Sequence, residues 1–121
     1  MKELFTARDI VRAYYESWTT GDMARARSYL ADDLDFQGPI DTFGSADQFI
    51  PALSGFAGML ARAELLQELY SADEAALLYD CETASPAGTI RTAEFFSLQG
   101  GKIARIRLVF DATELRKLMA R

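Results

Sequence analysis

The chain has 121 residues, half of them hydrophobic, with a formal net charge of −5 at neutral pH and a pI near 4.7. That length suits one domain spanning 1-121 around one core, and an acidic balance with no basic run argues against nucleic acid and anionic membrane as partners. Cys81 is the only cysteine and there is no histidine, which excludes an intrachain disulfide, zinc sites built on Cys and His, and a nucleophile activated by histidine.

In chain order, Met1-Lys2-Glu3 begins no signal peptide, and charges interrupt every apolar stretch before it reaches membrane-spanning length. A cytoplasmic address is expected. Thr6-Ala7-Arg8-Asp9 has the form of a capping box, and Ile10, Tyr14 and Trp18 follow at helical spacing, with Val11 and Tyr15 widening the stripe. This predicts a helix over about 6–20, stopped by Gly21. Asp22 caps a second, short helix through Tyr29, so the two form a helical hairpin. A short strand is expected over 34–37, ended by Gly38-Pro39. Ser45-Ala46-Asp47-Gln48 opens a third helix carrying Phe49, Leu53, Phe56 and Leu60, with a late start or a kink expected at Pro51. From Ala63 the pattern changes to strands over 64–70, 75–84, 89–99 and 102–110, an antiparallel meander. Asp111-Ala112-Thr113-Glu114 caps a last short helix bearing Leu115, Leu118 and Met119.

Gly100-Gly101 suits a two-residue type I′ hairpin loop, because both central positions need positive φ. Gln99 then pairs with Lys102, Phe95 with Ile106 and Ala93 with Leu108. A four-residue loop at Ser85-Pro86-Ala87-Gly88 pairs Glu82 with Arg91 and Asp80 with Ala93. Two faces follow. One carries Leu78, Asp80, Glu82, Arg91, Ala93, Phe95, Ile106, Leu108 and Phe110. The other carries Leu77, Tyr79, Cys81, Glu94, Phe96, Leu98, Ile103, Arg105, Arg107 and Val109. Both are apolar enough to need cover, so the face not covered by helices is expected to form a homodimer through Tyr79, Phe96, Leu98 and Arg107, with Arg107 pairing Glu94.

The order of elements, with Gly21-Asp22 after the first helix and Gly101-Lys102-Ile103 running in step to Asp111, resembles the SnoaL-like, or nuclear transport factor two-like, superfamily. The resemblance covers nearly the whole chain. It implies an α+β fold in which a curved antiparallel sheet wraps an N-terminal helical hairpin, making a cone with an internal pocket, cystatin-like and frequently dimeric. It also implies that positions 106 and 108 point into the cone, which makes the face with Asp80 and Arg91 the pocket face. SnoaL-like polyketide cyclases carry a histidine and an aspartate where this chain has Ile106 and Leu108, so that pair is missing. The acid and arginine positions of limonene epoxide hydrolases fall on Leu78, Asp80 and Leu108, and only Asp80 matches. The helix tyrosine of ketosteroid isomerases matches Tyr14, while their general base falls near Gly38 and their second acid near Glu94 only for a hairpin of different length.

The site expected on this basis joins Asp80, Arg91 and Tyr14 as candidate catalytic groups to a ligand wall of Tyr14, Trp18, Phe36, Phe95, Leu108 and Phe110, with Asp41 at the mouth. In the alternative, Asp80 and Glu82 merely satisfy Arg91 and hold strands in register. Asp32, Asp33 and Asp35 lack the glycine-centred loop of a hard-cation site, so neither metal nor cofactor is expected. Three functions are open: binding of a small apolar molecule; a cofactor-free isomerase, cyclase or hydrolase working through Asp80 and Arg91; and a dimerisation module without a ligand.

Overall fold

Thr6 starts the first helix by the reciprocal bonds expected of it. Its hydroxyl accepts from the Asp9 amide at 3.1 Å and its own amide donates to the Asp9 carboxylate at 3.3 Å. The computed structural model describes residues 6–120; Met1-Lys2-Glu3 lie outside them. Helix α1 (Ala7–Thr19) gives way at Gly21, whose φ is +86°, and the Asp22 side chain then accepts from the Arg25 amide at 3.1 Å to cap α2 (Met23–Ser28). Strand β1 (Leu30–Gln37) begins earlier than its sequence pattern predicts and is followed by a two-residue strand β2 (Thr42–Phe43). Helix α3 (Ala46–Ala57) starts at its Ser45 cap and runs through Pro51. Of the late start or kink expected at Pro51, the late start does not occur: the helix begins at its Ser45 cap and carries Pro51 on its exposed side. Strands β3 (Leu60–Tyr70), β4 (Glu74–Thr83), β5 (Thr89–Gln99) and β6 (Lys102–Val109) form the meander, and α4 (Thr113–Met119) closes the chain.

The six strands make one curved, unclosed sheet in the order β2-β1-β6-β5-β4-β3. All neighbours are antiparallel except β1 and β6, which run parallel. The local pattern contains no sign of that pairing: it needs the whole chain between the two strands to return across the sheet. Gly100 and Gly101, at φ +60° and +78°, form the expected turn and pair Gln99 with Lys102.

Three residues later the register changes. Leu98 still pairs with Ile103, but Ser97 pairs with Arg105, so Ala104 is an extra residue in β6. This bulge turns every residue beyond it by one position relative to β5. Ile106 and Leu108 therefore lie across from Phe96 and Glu94, not from Phe95 and Ala93. On the other side of β5 the loop is longer than four residues, and Asp80 stands opposite Arg91. That second change moves the register by two residues and leaves the faces intact.

Two expectations are corrected as a result. The residues grouped with Asp80 on β4 and β5 do share a face, but it is the one turned away from the helices. Of the residues expected to meet a second subunit, Tyr79, Phe96 and Leu98 instead lie on the covered face. Tyr79 and Phe96 are each 2% exposed, and Leu98 packs against the core. Arg107 is on the open face and binds the Asp35 carboxylate at 3.1 Å, not Glu94. Helix α1 lies directly on the covered face, with Tyr14 edge-on to Phe96 at 6.0 Å and Tyr15 against Tyr79 at 5.1 Å. Burying aromatic side chains of this kind stabilises the fold by roughly 1.5–3 kcal/mol each.

Candidate functional site

Beyond Trp18 the cover of the sheet changes from α1 to α3 and α4, and the packing is not complete. A cavity of about 420 Å³ lies there, within the range of small-molecule sites. Phe49, Leu53 and Phe56 of α3 form one wall, with Phe36 of β1 stacked on Phe49 at 4.4 Å. The opposite wall is the covered face of the sheet: Tyr79 and Cys81 from β4, Ile90, Thr92 and Glu94 from β5, Leu108 from β6. Leu115, Leu118 and Met119 close one side from α4, which is tied down by a 2.6 Å bond from the Arg116 guanidinium to the Pro39 carbonyl. Asp41 stands in the rim loop, where its carbonyl accepts from the Gly38 amide at 2.9 Å.

One charged group reaches the interior. Glu94 is 3% exposed, and its Oε1 accepts a 2.7 Å hydrogen bond from the Tyr79 hydroxyl. Among the described residues this is the only hydrogen bond its side chain makes, which leaves Oε2 to whatever enters the cavity. Burial disfavours the carboxylate and pushes its pKa up to about 7, against the opposing pull of the Tyr79 bond. The surrounding groups move in the same sense. Tyr79 and Tyr14 are raised well above the usual phenol value, first by burial and then by Glu94, and burial with the nearby Glu94 and Asp80 charges pushes the Cys81 thiol up to about 12. The Tyr14 hydroxyl and the Trp18 indole N–H are buried with no hydrogen-bond partner among the described residues, an uncommon state for interior donors.

The side chains singled out from the sequence divide between the two faces. Trp18, Phe36, Leu108 and Phe110 line the cavity. Tyr14 lies in the adjoining core, fully buried, and is not part of the lining. Phe95 is 49% exposed on the open face. Asp80 and Arg91 are on that open face too, joined by a fork-like pair of bonds at 2.8 and 2.9 Å, with the Arg91 side chain largely in solvent. Arg91 holds the Asp80 carboxyl below its usual pKa, the reverse of what a general base near neutrality needs. Placing them in the pocket required β5 and β6 to pair without a bulge. Asp32 and Asp35 are bound to Arg27 and Arg107 at 2.6 and 3.1 Å.

Strand periodicity alone does not mark Glu94 and its neighbours Tyr79 and Thr92 as a site. The available signal was the series Ile90, Thr92, Glu94 and Phe96, an acid at an alternating position otherwise occupied by residues that suit a covered face.

Residues 11–106 match the family model of the SnoaL-like domain. No curated protein matches the chain. Among solved structures, a protein from Kribbella flavida superposes with a TM-score of 0.89 at 27% identity, covering 97% of this chain and 96% of that one. An NTF2-like protein of unknown function from Cytophaga hutchinsonii gives 0.81 at 19% identity, covering 96% and 99%. A protein with a cystatin-like fold from Silicibacter pomeroyi gives 0.82 at 18% identity, covering 95% and 85%. With the family model spanning both the helical hairpin and the meander, and with this α+β frame shared across such neighbours, the chain belongs to the SnoaL-like domain family and has the NTF2-like, cystatin-like fold.

Proposed function

We propose that this domain binds a small, largely apolar molecule in the cavity between α3, α4 and the covered face of the sheet, with Glu94 and Tyr79 as its polar anchor. The observation that carries this is the combination of about 420 Å³ of space, walls that are mostly aromatic and aliphatic, and one buried carboxyl with an oxygen to spare. A purely structural fold gains nothing from an apolar hollow of that size open to solvent, since the side chains lining it forgo packing and stay partly hydrated. Trp18, the only tryptophan in the sequence, lines the cavity and reports on it directly. Titration with neutral apolar ketones, lactones and epoxides should change Trp18 emission, and Leu108→Phe, which takes up cavity space, should weaken that response. A response equally strong in the variant would move the ligand elsewhere and refute the assignment.

A second reading, cofactor-free proton transfer, is favoured by the ionisation of Glu94 near neutrality, where a carboxyl serves as acid and base alike. It moves the proposed chemistry from Asp80 and Arg91 to Glu94. Catalysed deuterium exchange into a bound ketone, lost in Glu94→Gln, would support it; no exchange above the solvent rate would dismiss it. Self-association also stays a proposal, carried now by the open face, where Leu69, Ala76, Phe95 and Arg107 pair in one row across four strands and Leu69 and Phe95 are exposed.

A further inference from the structure

The walls of the cavity are one-sided in charge. Among the described residues, Glu94 in the interior and Asp41 at the rim are those of the lining that carry formal charge, and no lysine or arginine is among them. The arginines near the sheet are engaged elsewhere: Arg91 with Asp80, Arg107 with Asp35, Arg62 with Glu82 and Arg12 with Glu68. Glu94 thus has a hydroxyl partner but no cationic one among the described residues, an expensive arrangement for a buried carboxylate. The remaining wall is rich in aromatic rings, including Trp18, Phe36, Phe49 and Phe56, and the faces of such rings attract cations.

We propose that the cavity takes a small organic cation, a hydrophobic amine in its ammonium form, whose N–H donates to Glu94 and whose hydrocarbon body lies against the aromatic wall. This rests on the reading of the cavity as a ligand site and adds the class of ligand. Among the described residues an anionic ligand would meet two acids and no base. A neutral carbonyl compound would accept a hydrogen bond from Glu94 only in its protonated form.

The two cationic and neutral cases have opposite pH dependence. The titratable groups facing Glu94 are Tyr79 and Cys81 from β4 and Tyr14 and Tyr15 from α1, all with ionisation pushed upward and so neutral below pH 8, while Asp41 stands at the rim. No titratable side chain of α3, β6 or α4 lines the cavity. Among the described groups at the cavity, Glu94 is therefore the one that titrates between pH 6 and 8, and an ordinary ammonium group remains charged throughout. If only the carboxylate binds the amine, affinity rises about tenfold across that range; a ligand that needs the protonated acid weakens about as much.

The test is calorimetric titration of the full chain with phenylbutylamine, phenylbutanol and phenylbutanoate, three probes of one shape, at pH 6, 7 and 8. Tighter binding of the amine than of the alcohol, strengthening about tenfold with pH and lost in Glu94→Gln, is the expected result. The pH slope of the unmodified protein stands by itself if the variant does not fold. Equal binding of amine and alcohol, or an amine affinity that falls with pH, would overturn the cationic class while leaving the ligand site in place. Binding by none of the three would overturn both.

Discussion

The Glu94 carboxyl should make this protein less stable as the pH rises through neutrality, over a range in which the shifted surface carboxylates no longer titrate. Its pKa in the folded chain is about 7 against an ordinary value of 4.5. Between those values the folded state holds a proton that the unfolded state has lost, so unfolding free energy falls with increasing pH. Each pH unit of the gap is worth about 1.4 kcal/mol, which gives a loss of about 2–3 kcal/mol between pH 5 and pH 8. The carboxyls of Asp32, Asp35, Asp80 and Asp111 are held below their usual values by arginines or by Thr113; their contributions change only below about pH 5. The thiol of Cys81 and the buried tyrosines begin to matter above about pH 8. Urea unfolding at half-unit steps from pH 5 to 8 isolates the effect. Glu94→Gln keeps an oxygen to accept from Tyr79 but cannot ionise, so its stability should be nearly flat over the same range and should exceed that of the unmodified protein at pH 8 relative to pH 5. A flat profile for the unmodified protein, or an equal decline in the variant, would show that Glu94 is not the buried ionising group described above.

Three further outcomes follow from the packing. Ile106→Ala removes a fully buried side chain beneath α1 and should cost about 2–5 kcal/mol in chemical denaturation; a loss under about 1 kcal/mol would mean that the bulge does not direct residue 106 inward. Asp80→Asn acts on the open face and should leave the Trp18 response to ligands, and any turnover, unchanged, whereas loss of either would return Asp80 to the site. Phe95→Glu places a charge in the exposed row with Leu69 and Ala76 and should convert a dimer to a monomer in sedimentation; an unmodified protein that sediments as a monomer at high concentration would remove the open face from consideration as an interface.

Much of the architecture follows from local chemistry that a sequence displays. Thr6 and Asp9 form a capping box wherever a helix begins, Gly21 and the Gly100-Gly101 pair take up positive φ that other residues resist, and the apolar spacing of Ile10, Tyr14 and Trp18 assigns one side of α1 to the core. The division of β4 and β5 into two sets of alternating side chains was legible as well, because strand periodicity is local. Which set faces the helices was not. That choice passed through the pairing of β5 with β6, where the extra residue Ala104 reverses it, and nothing in an alternating run of alanine, arginine and isoleucine marks one residue as unpaired. The candidate site moved with it, from the solvated Asp80–Arg91 pair to the buried Glu94 beside Tyr79. Sequence by itself determined the elements, the turns and which side chains travel together. Tertiary structure decided which of them left water, because a carboxyl acquires a perturbed ionisation only from the surroundings that long-range pairing brings to it.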